Sequence, residues 1–334
     1  MAKNAKSTGK DYLAEIFFPV KEELSRWKKS YRGILKREEN FFSFLYQYLL
    51  SFPQKEIRPG LVFLSAKAIS GERVASSLLY RLENFSTAIE VFHTALLLQN
   101  SLLQNMEIKP ENNPGIDMKK QSYILLFSQY LFSQSLSLLK ELKLSEAWSG
   151  FLEIYRSTIE IKIKEIDFLS RFAFSEEEYL EMIKSKTAKL LSLASGTGAY
   201  IVDEKSVLCG ALENFGLNFG LALQIVDDCL KVMDEDNSFI HDFEIKKEDL
   251  SLIYLFPFLP EEERREVIGF LREEKTPLPH ARSLALVYRA VELALKKAKY
   301  FSDQAKESIK ILPKSKFKES LIALTDFPLE RLAR

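Results

Sequence analysis

Two neighbouring carboxylates in an apolar run are the first residues whose chemistry needs an account. They are Asp227 and Asp228 in "FGLNFGLALQIVDDCLK". At about 100° per residue, Gln224, Asp227, Asp228 and Lys231 fall on one helical face. Carboxylates are costly to bury unless they hold a metal, a cation or water. An isolated Asp-Asp pair more often just ends a helix near solvent. A second stretch, "HTALLLQNSLLQN", places Asn100, Ser101, Gln104 and Asn105 where a metal-binding helix would carry aspartates. His93, Leu97, Asn100 and Gln104 share a face there, with Ser101 close by. The oxygen atoms are kept and every charge is gone. A third stretch, "PQKEIRPGLVFLSAKAI", sets Lys55 and Arg58 just before a helix that can begin at Pro59. Two cations at a helix start suit an anion, helped by the positive end of the helix dipole. Taken alone, a solvated basic turn is the simpler account.

These stretches need helices to hold them, and helical periodicity dominates the chain. "YRLENFSTAIEVFHTALLLQNSLL" lines up Phe85, Ala88, Phe92, Ala95, Leu96 and Leu103. "SEEEYLEMIKSKTAKLLSLA" opens with Ser175 and Glu178 as a capping box. "SLALVYRAVELALKKAKYFSDQAKESI" reads as a long amphipathic helix. No convincing alternating strand is found. Gly216 and Gly220 look like close helix contacts, and "GTGAY" follows no strand and carries no phosphate-loop weight. The clearest loop is "NMEIKPENNPGIDMKK", and a second polar connection is "MDEDNSFIHDFEIKKED". The expected architecture is all-α, a single domain over residues 1–334 with residues 1–10 flexible.

Composition narrows the function. Aliphatic and aromatic residues make up 46% of 334, enough for a sizeable core. Basic and acidic residues balance at 47 each, which argues against an electrostatic nucleic-acid binder. Cys209 and Cys229 lack metal-ligand spacing and read as reduced core thiols of a cytoplasmic protein. The N-terminal "MAKNAKSTGK" is polar and basic, with no apolar signal region after it. The longest apolar run, "LIYLFPFL", is too short for a membrane span and is broken by Pro257.

Six segments, in order, resemble the trans-isoprenyl diphosphate synthases, the polyprenyl synthetase family. "QKEIRPGLVFLSAKAISG" looks like the family's G-K-R-x-R-P segment, and "AIEVFHTALLLQN" like its first aspartate-rich helix. "SKTAKLLSLASGTGA" resembles the K-T helix. "FGLNFGLALQIVDDCLK" resembles F-G-x-x-x-G-x-A-F-Q-I-x-D-D-x-x-D and is the sharpest match. "DFEIKKEDLSLI" resembles the D-x-x-x-G-K-x-T-x-P segment, and "ESLIALTDFPLERLAR" the closing helix. The resemblance implies the isoprenoid synthase fold, about ten or more helices bundled around a central cavity. It also implies a reaction: isopentenyl diphosphate is condensed onto an allylic diphosphate. Mg²⁺ ions bridge that diphosphate to two aspartate-rich helices and neutralise the leaving group.

Carried over by position, the resemblance assigns Lys55, Arg58 and His93 to the isopentenyl diphosphate. It assigns Lys186, Gln224 and Lys247 to the allylic diphosphate, and Asp227 and Asp228 to metal. Several positions depart. Glu56 replaces an arginine, Gln54 a glycine and Lys231 the last aspartate of the second motif. Asn100, Ser101, Gln104 and Asn105 replace the whole first motif, and Lys109 and Pro110 the arginine pair after it. Amides and a hydroxyl preserve packing but not the charge that draws Mg²⁺ from its hydration shell. Each unit charge removed from a contact at ~4 Å forfeits roughly 4 kcal/mol at an effective dielectric near 20. Weakened Mg²⁺ binding and slow ionisation are therefore expected. Ala95, five before the first motif, stands where the family sets product length, and its small size suits a longer product.

The favoured expectation is a weakly active or non-catalytic subunit, in a homodimer or paired with an active synthase. Its apolar face of Phe85, Phe92, Leu96 and Leu103 would serve the dimer. The alternatives are an active medium- or long-chain prenyltransferase and, last, a terpene cyclase.

Overall fold

The computed structural model describes residues 9–37, 56–107, 114–168, 175–233, 250–265 and 289–332. Among them no strand occurs, and the all-α expectation holds. Three helices lead in: α1 (Gly9–Ile16), α2 (Lys21–Arg37) and α3 (Ile57–Ser70). Long helices follow as α4 (Ser76–Glu107), α5 (Pro114–Leu142) and α6 (Ser145–Phe168). Next come α7 (Glu176–Ile183), a π turn (Lys184–Ala188), α8 (Lys189–Val202) and α9 (Leu208–Met233). The chain closes with α10 (Leu250–Leu255), α11 (Ala290–Ser308) and α12 (Lys316–Glu330).

Local chemistry explains several boundaries. The Ser175 hydroxyl accepts from the Glu178 amide while the Glu178 carboxylate accepts from the Ser175 amide, the expected capping box. Ser315 caps α12 in the same manner by accepting from the Lys318 amide at 3.2 Å. Pro114 stands at the first position of α5, where a missing N–H costs nothing. The expected loop after Asn105 is consequently shorter than its composition suggested, since Gly115–Lys120 is already helical. The connection after Met233 lies, over 234–249, outside the described residues. The amphipathic segment enters its helix at Ala290, after Arg289 turns through a left-handed backbone.

Two apolar clusters anchor the helices. The larger gathers Trp27, Phe63, Phe85, Phe92, Phe127, Phe151 and Phe215. The smaller sets Tyr179, Ile225, Val226 and Cys229 against Ala290, Ala294 and Ala298. Helix α9 packs against both α8 and α11. Gly216 and Gly220 are the close contacts expected of them: a β-carbon at Gly220 would lie 2.6 Å from the Ala188 α-carbon, and one at Gly216 would collide with Ser195. The approach they allow sets α9 tightly beside the π turn and α8.

One expectation is corrected. Phe85, Phe92 and Leu96 do not form an outward face for a second chain. The first two are fully buried, and Leu96 is 4% exposed within the chain itself. Phe92 packs at a tilt against Phe151 and Phe132, with ring centroids 4.5 and 5.8 Å away. These side chains are covered because α2, α3, α5 and α8 pack against the helix, and Phe151 of α6 meets Phe85 and Phe92. The side chain of Leu103 lies outside the described residues.

Candidate diphosphate-binding site

The first half of the site is built by α3 and α4. Glu56 enters α3 in a left-handed conformation, φ 55°, and pairs with Lys28. Such backbone costs about 1–2 kcal/mol for a residue with a β-carbon. The helix starts at Ile57, two residues earlier than Pro59, so Arg58 already lies in its first turn. Its guanidinium is bidentate on Glu90: Nε donates to Oε1 at 2.6 Å and Nη2 to Oε2 at 3.2 Å. Glu90 precedes His93 by three residues, so both lie on one side of α4. Part of the His93 surface stays open, yet burial is the first cause that holds its imidazole well below the usual histidine range. The Arg58 charge adds to this. His93 is thus a neutral hydrogen-bonding group near pH 7. Lys55, assigned to the same anion, lies outside the described residues.

Farther along α4, Asn100 and Ser101 are half-buried. The Ser101 hydroxyl donates back to the Leu98 carbonyl at 2.9 Å, which commits it to its own helix. The side chains of Gln104 and Asn105 lie outside the described residues. Ala95 is buried in the larger cluster, one turn from Phe92.

The second half is built by α9 with the π turn and the end of α12. π turns concentrate at functional positions because the backbone register shifts there. In this one the Thr187 hydroxyl donates to Gln224 Oε1 at 2.8 Å. Gln224 Nε2 in turn donates to Asp228 Oδ1 at 3.0 Å. Asp228 also accepts from Lys231 Nζ at 2.8 Å and from the Tyr179 hydroxyl at 2.9 Å. Asp227 is paired with Arg331, whose guanidinium also lies over the Phe327 ring at 5.7 Å. Lys186 sits in the same π turn, half-buried. Gln224, Asp227, Asp228 and Lys231 are therefore brought together as their helical spacing implied, toward the C-terminal end of α9. Lys247 lies outside the described residues.

This donor set fits Mg²⁺ poorly. Among the described residues there is no group of three or more histidine, cysteine or carboxylate side chains able to hold a metal. Asp228 has donors on both oxygens, and Asp227 has a guanidinium. An incoming ion would have to displace bonded cations as well as shed its own water.

A family model described as polyprenyl synthetase matches residues 39–276. The chain belongs to the polyprenyl synthetase family. Members similar to it include a short chain isoprenyl diphosphate synthase of Methanothermobacter thermautotrophicus. That protein is 28% identical over 295 residues, covering 85% of this chain and 89% of the relative. A prenyl transferase of Cyanophora paradoxa is 27% identical, covering 96% and 99%. Among solved structures, the polyprenyl synthase of Caulobacter crescentus, complexed with calcium and isoprenyl diphosphate, shares the fold. Its TM-score is 0.79 at 22% identity, covering 98% of this chain and 99% of that one. Among the described residues no helix is long and apolar enough to cross a membrane.

Sequence reasoning overlooked four residues of the site. Glu90 carried a signal, a lone charge inside the apolar "AIEVFHTA". Thr187 is the threonine of the quoted K-T segment, whereas Tyr179 carried no signal beyond its helix. Arg331 lies in a segment legible only as a closing helix.

Proposed function

We propose that this chain binds isopentenyl and allylic prenyl diphosphates, condenses them slowly or not at all by itself, and works as a subunit beside an aspartate-bearing synthase. One observation carries the reading. The first-motif helix offers amides and a hydroxyl where the chemistry asks for carboxylates, and the two carboxylates of the second motif are already neutralised. Ionisation of an allylic diphosphate needs charge compensation at the leaving group, and this arrangement supplies less of it than two aspartate-rich helices would.

The dimer surface would be the outer side of α5, where Tyr123, Leu125 and Leu126 are exposed, the last at 60%. The chain alone would form a homodimer. With an aspartate-bearing homologue from its host it would form a mixed complex and change product length or rate. Ala95 would then sit along the wall of the growing chain.

A second reading, an active prenyltransferase with altered metal use, is favoured by the intact Thr187–Gln224–Asp228 chain. Turnover separates the two. Purified chain with Mg²⁺, isopentenyl diphosphate and allylic diphosphates should give little product. Asn100→Asp, Ser101→Asp and Gln104→Asp together should raise it in part. Robust turnover by the parent chain would establish the second reading instead. Co-expression in which the homologue elutes separately with unchanged products would overturn the subunit reading and leave a stand-alone ligand-binding role or unusual catalysis.

A further inference from the structure

The α9 half holds two neighbouring carboxylates, each bonded to its own cation. Lys231 stands three residues after Asp228 and bonds it at 2.8 Å. Arg331 reaches Asp227 from a position 104 residues away, steadied by the Phe327 ring. Both cations keep about a fifth of their side chain open, 22% and 23%. A carboxylate pair arranged to collect Mg²⁺ has no reason to be covered by fixed positive charge. The same cations, however, do what a metal does for a diphosphate: they place positive charge at its oxygens, with directed donors and no dehydration cost for a small ion. Arg in particular offers two donors in a plane that matches two phosphate oxygens.

We infer that the α9 half binds a diphosphate without a divalent metal, Lys231 and Arg331 standing in for the ions. The inference rests on the diphosphate-binding reading above. In the free chain the two cations are held by Asp228 and Asp227. An arriving diphosphate, with more charge than either carboxylate, draws Lys231 and Arg331 toward itself while the aspartates keep them in place. Asp227 and Asp228 are then positioning residues for cations. Tyr179 and Gln224 fix Asp228 for that role.

The test uses the full chain and inorganic pyrophosphate, titrated by calorimetry in EDTA and again in Mg²⁺ at matched free pyrophosphate. Affinities within about threefold of each other are expected. Lys231→Ala and Arg331→Ala should each weaken binding in EDTA by about tenfold or more. Lys231→Asp should make binding depend on Mg²⁺. Mn²⁺ alone, followed by electron paramagnetic resonance, should not be taken up by the parent chain and should be taken up by Lys231→Asp. Lys231→Gln and Arg331→Lys, with circular dichroism melts, guard against a variant that simply unfolds. Binding that appears only with Mg²⁺ would overturn the inference and leave the diphosphate reading standing. Full binding in EDTA by both alanine variants would place the anion elsewhere and overturn it too. Stoichiometric Mn²⁺ uptake by the parent would do the same. No binding in either buffer would overturn both readings.

Discussion

The two halves of the site solve opposite problems. On α3 and α4 a cation, Arg58, is enclosed with one carboxylate; their side chains are 18% and 6% exposed. On α9 two carboxylates are covered by cations from the same helix and from the chain's end, and that cluster stays more open. The first half therefore couples its charge to the stability of the fold. The second can exchange its partners at small cost, because solvent replaces what a departing side chain gave. A tightly held pair makes a preformed anchor, whereas a loosely held set of charges makes an adjustable one.

Four experiments test this contrast. The largest effect is expected from Glu90→Ala, which leaves the Arg58 charge enclosed without its partner. Removing one member of a buried pair costs about 3–5 kcal/mol, read from urea unfolding. A loss under about 1 kcal/mol would show that Arg58 swings out to water and that the halves are alike.

Next comes ligand binding. Arg58→Ala should weaken isopentenyl diphosphate by about 1.5–3 kcal/mol in calorimetry, the range for a charged hydrogen bond. Unchanged affinity would make Arg58 a strut for Glu90 and nothing more.

The third concerns pH. The unfolded chain protonates His93 near its ordinary pKa of 6.5, while burial keeps the folded imidazole neutral well below that value. The unfolded state then binds more protons, and stability falls as pH drops below that point. The slope is at most about 1.4 kcal/mol per pH unit. His93→Gln should flatten this component between neutral and mildly acidic pH. Identical pH profiles for parent and variant would show that the imidazole opens to solvent.

The smallest effect is expected from Arg331→Ala, about 0.2–1 kcal/mol of unfolding free energy for a partly open pair. A loss as large as that of Glu90→Ala would mean that Arg331 locks α12 onto α9 and is not exchangeable.

How legible these halves were from the sequence differs by the range of the interaction. The capping box at Ser175 was readable because both its bonds close within three residues. The close approach at Gly216 and Gly220 was readable because two small residues one turn apart in an apolar helix leave a groove. The Gln224–Asp228–Lys231 alignment follows from helical spacing alone. Glu90 as the partner of Arg58 was not readable, since 32 residues separate them and Lys28 competes for the nearer Glu56. The apolar stripe of α4 announced burial but not its direction, and so Phe85 and Phe92 were mistaken for an outer face.

Helical class, family and the uncharged side chains at Asn100, Ser101, Gln104 and Asn105 were all legible along the chain. Those are properties of residue identity and of periodicity within a single turn or two. The tertiary packing was needed to bring Arg331 to Asp227, to set the Tyr179 hydroxyl on Asp228, and to bury Phe85, Phe92 and Leu96 of α4 within the chain. The reason is physical. Which charges neutralise one another depends on which helices pack together. That packing is set by the summed burial of many apolar side chains, and no local spacing of charged residues encodes it.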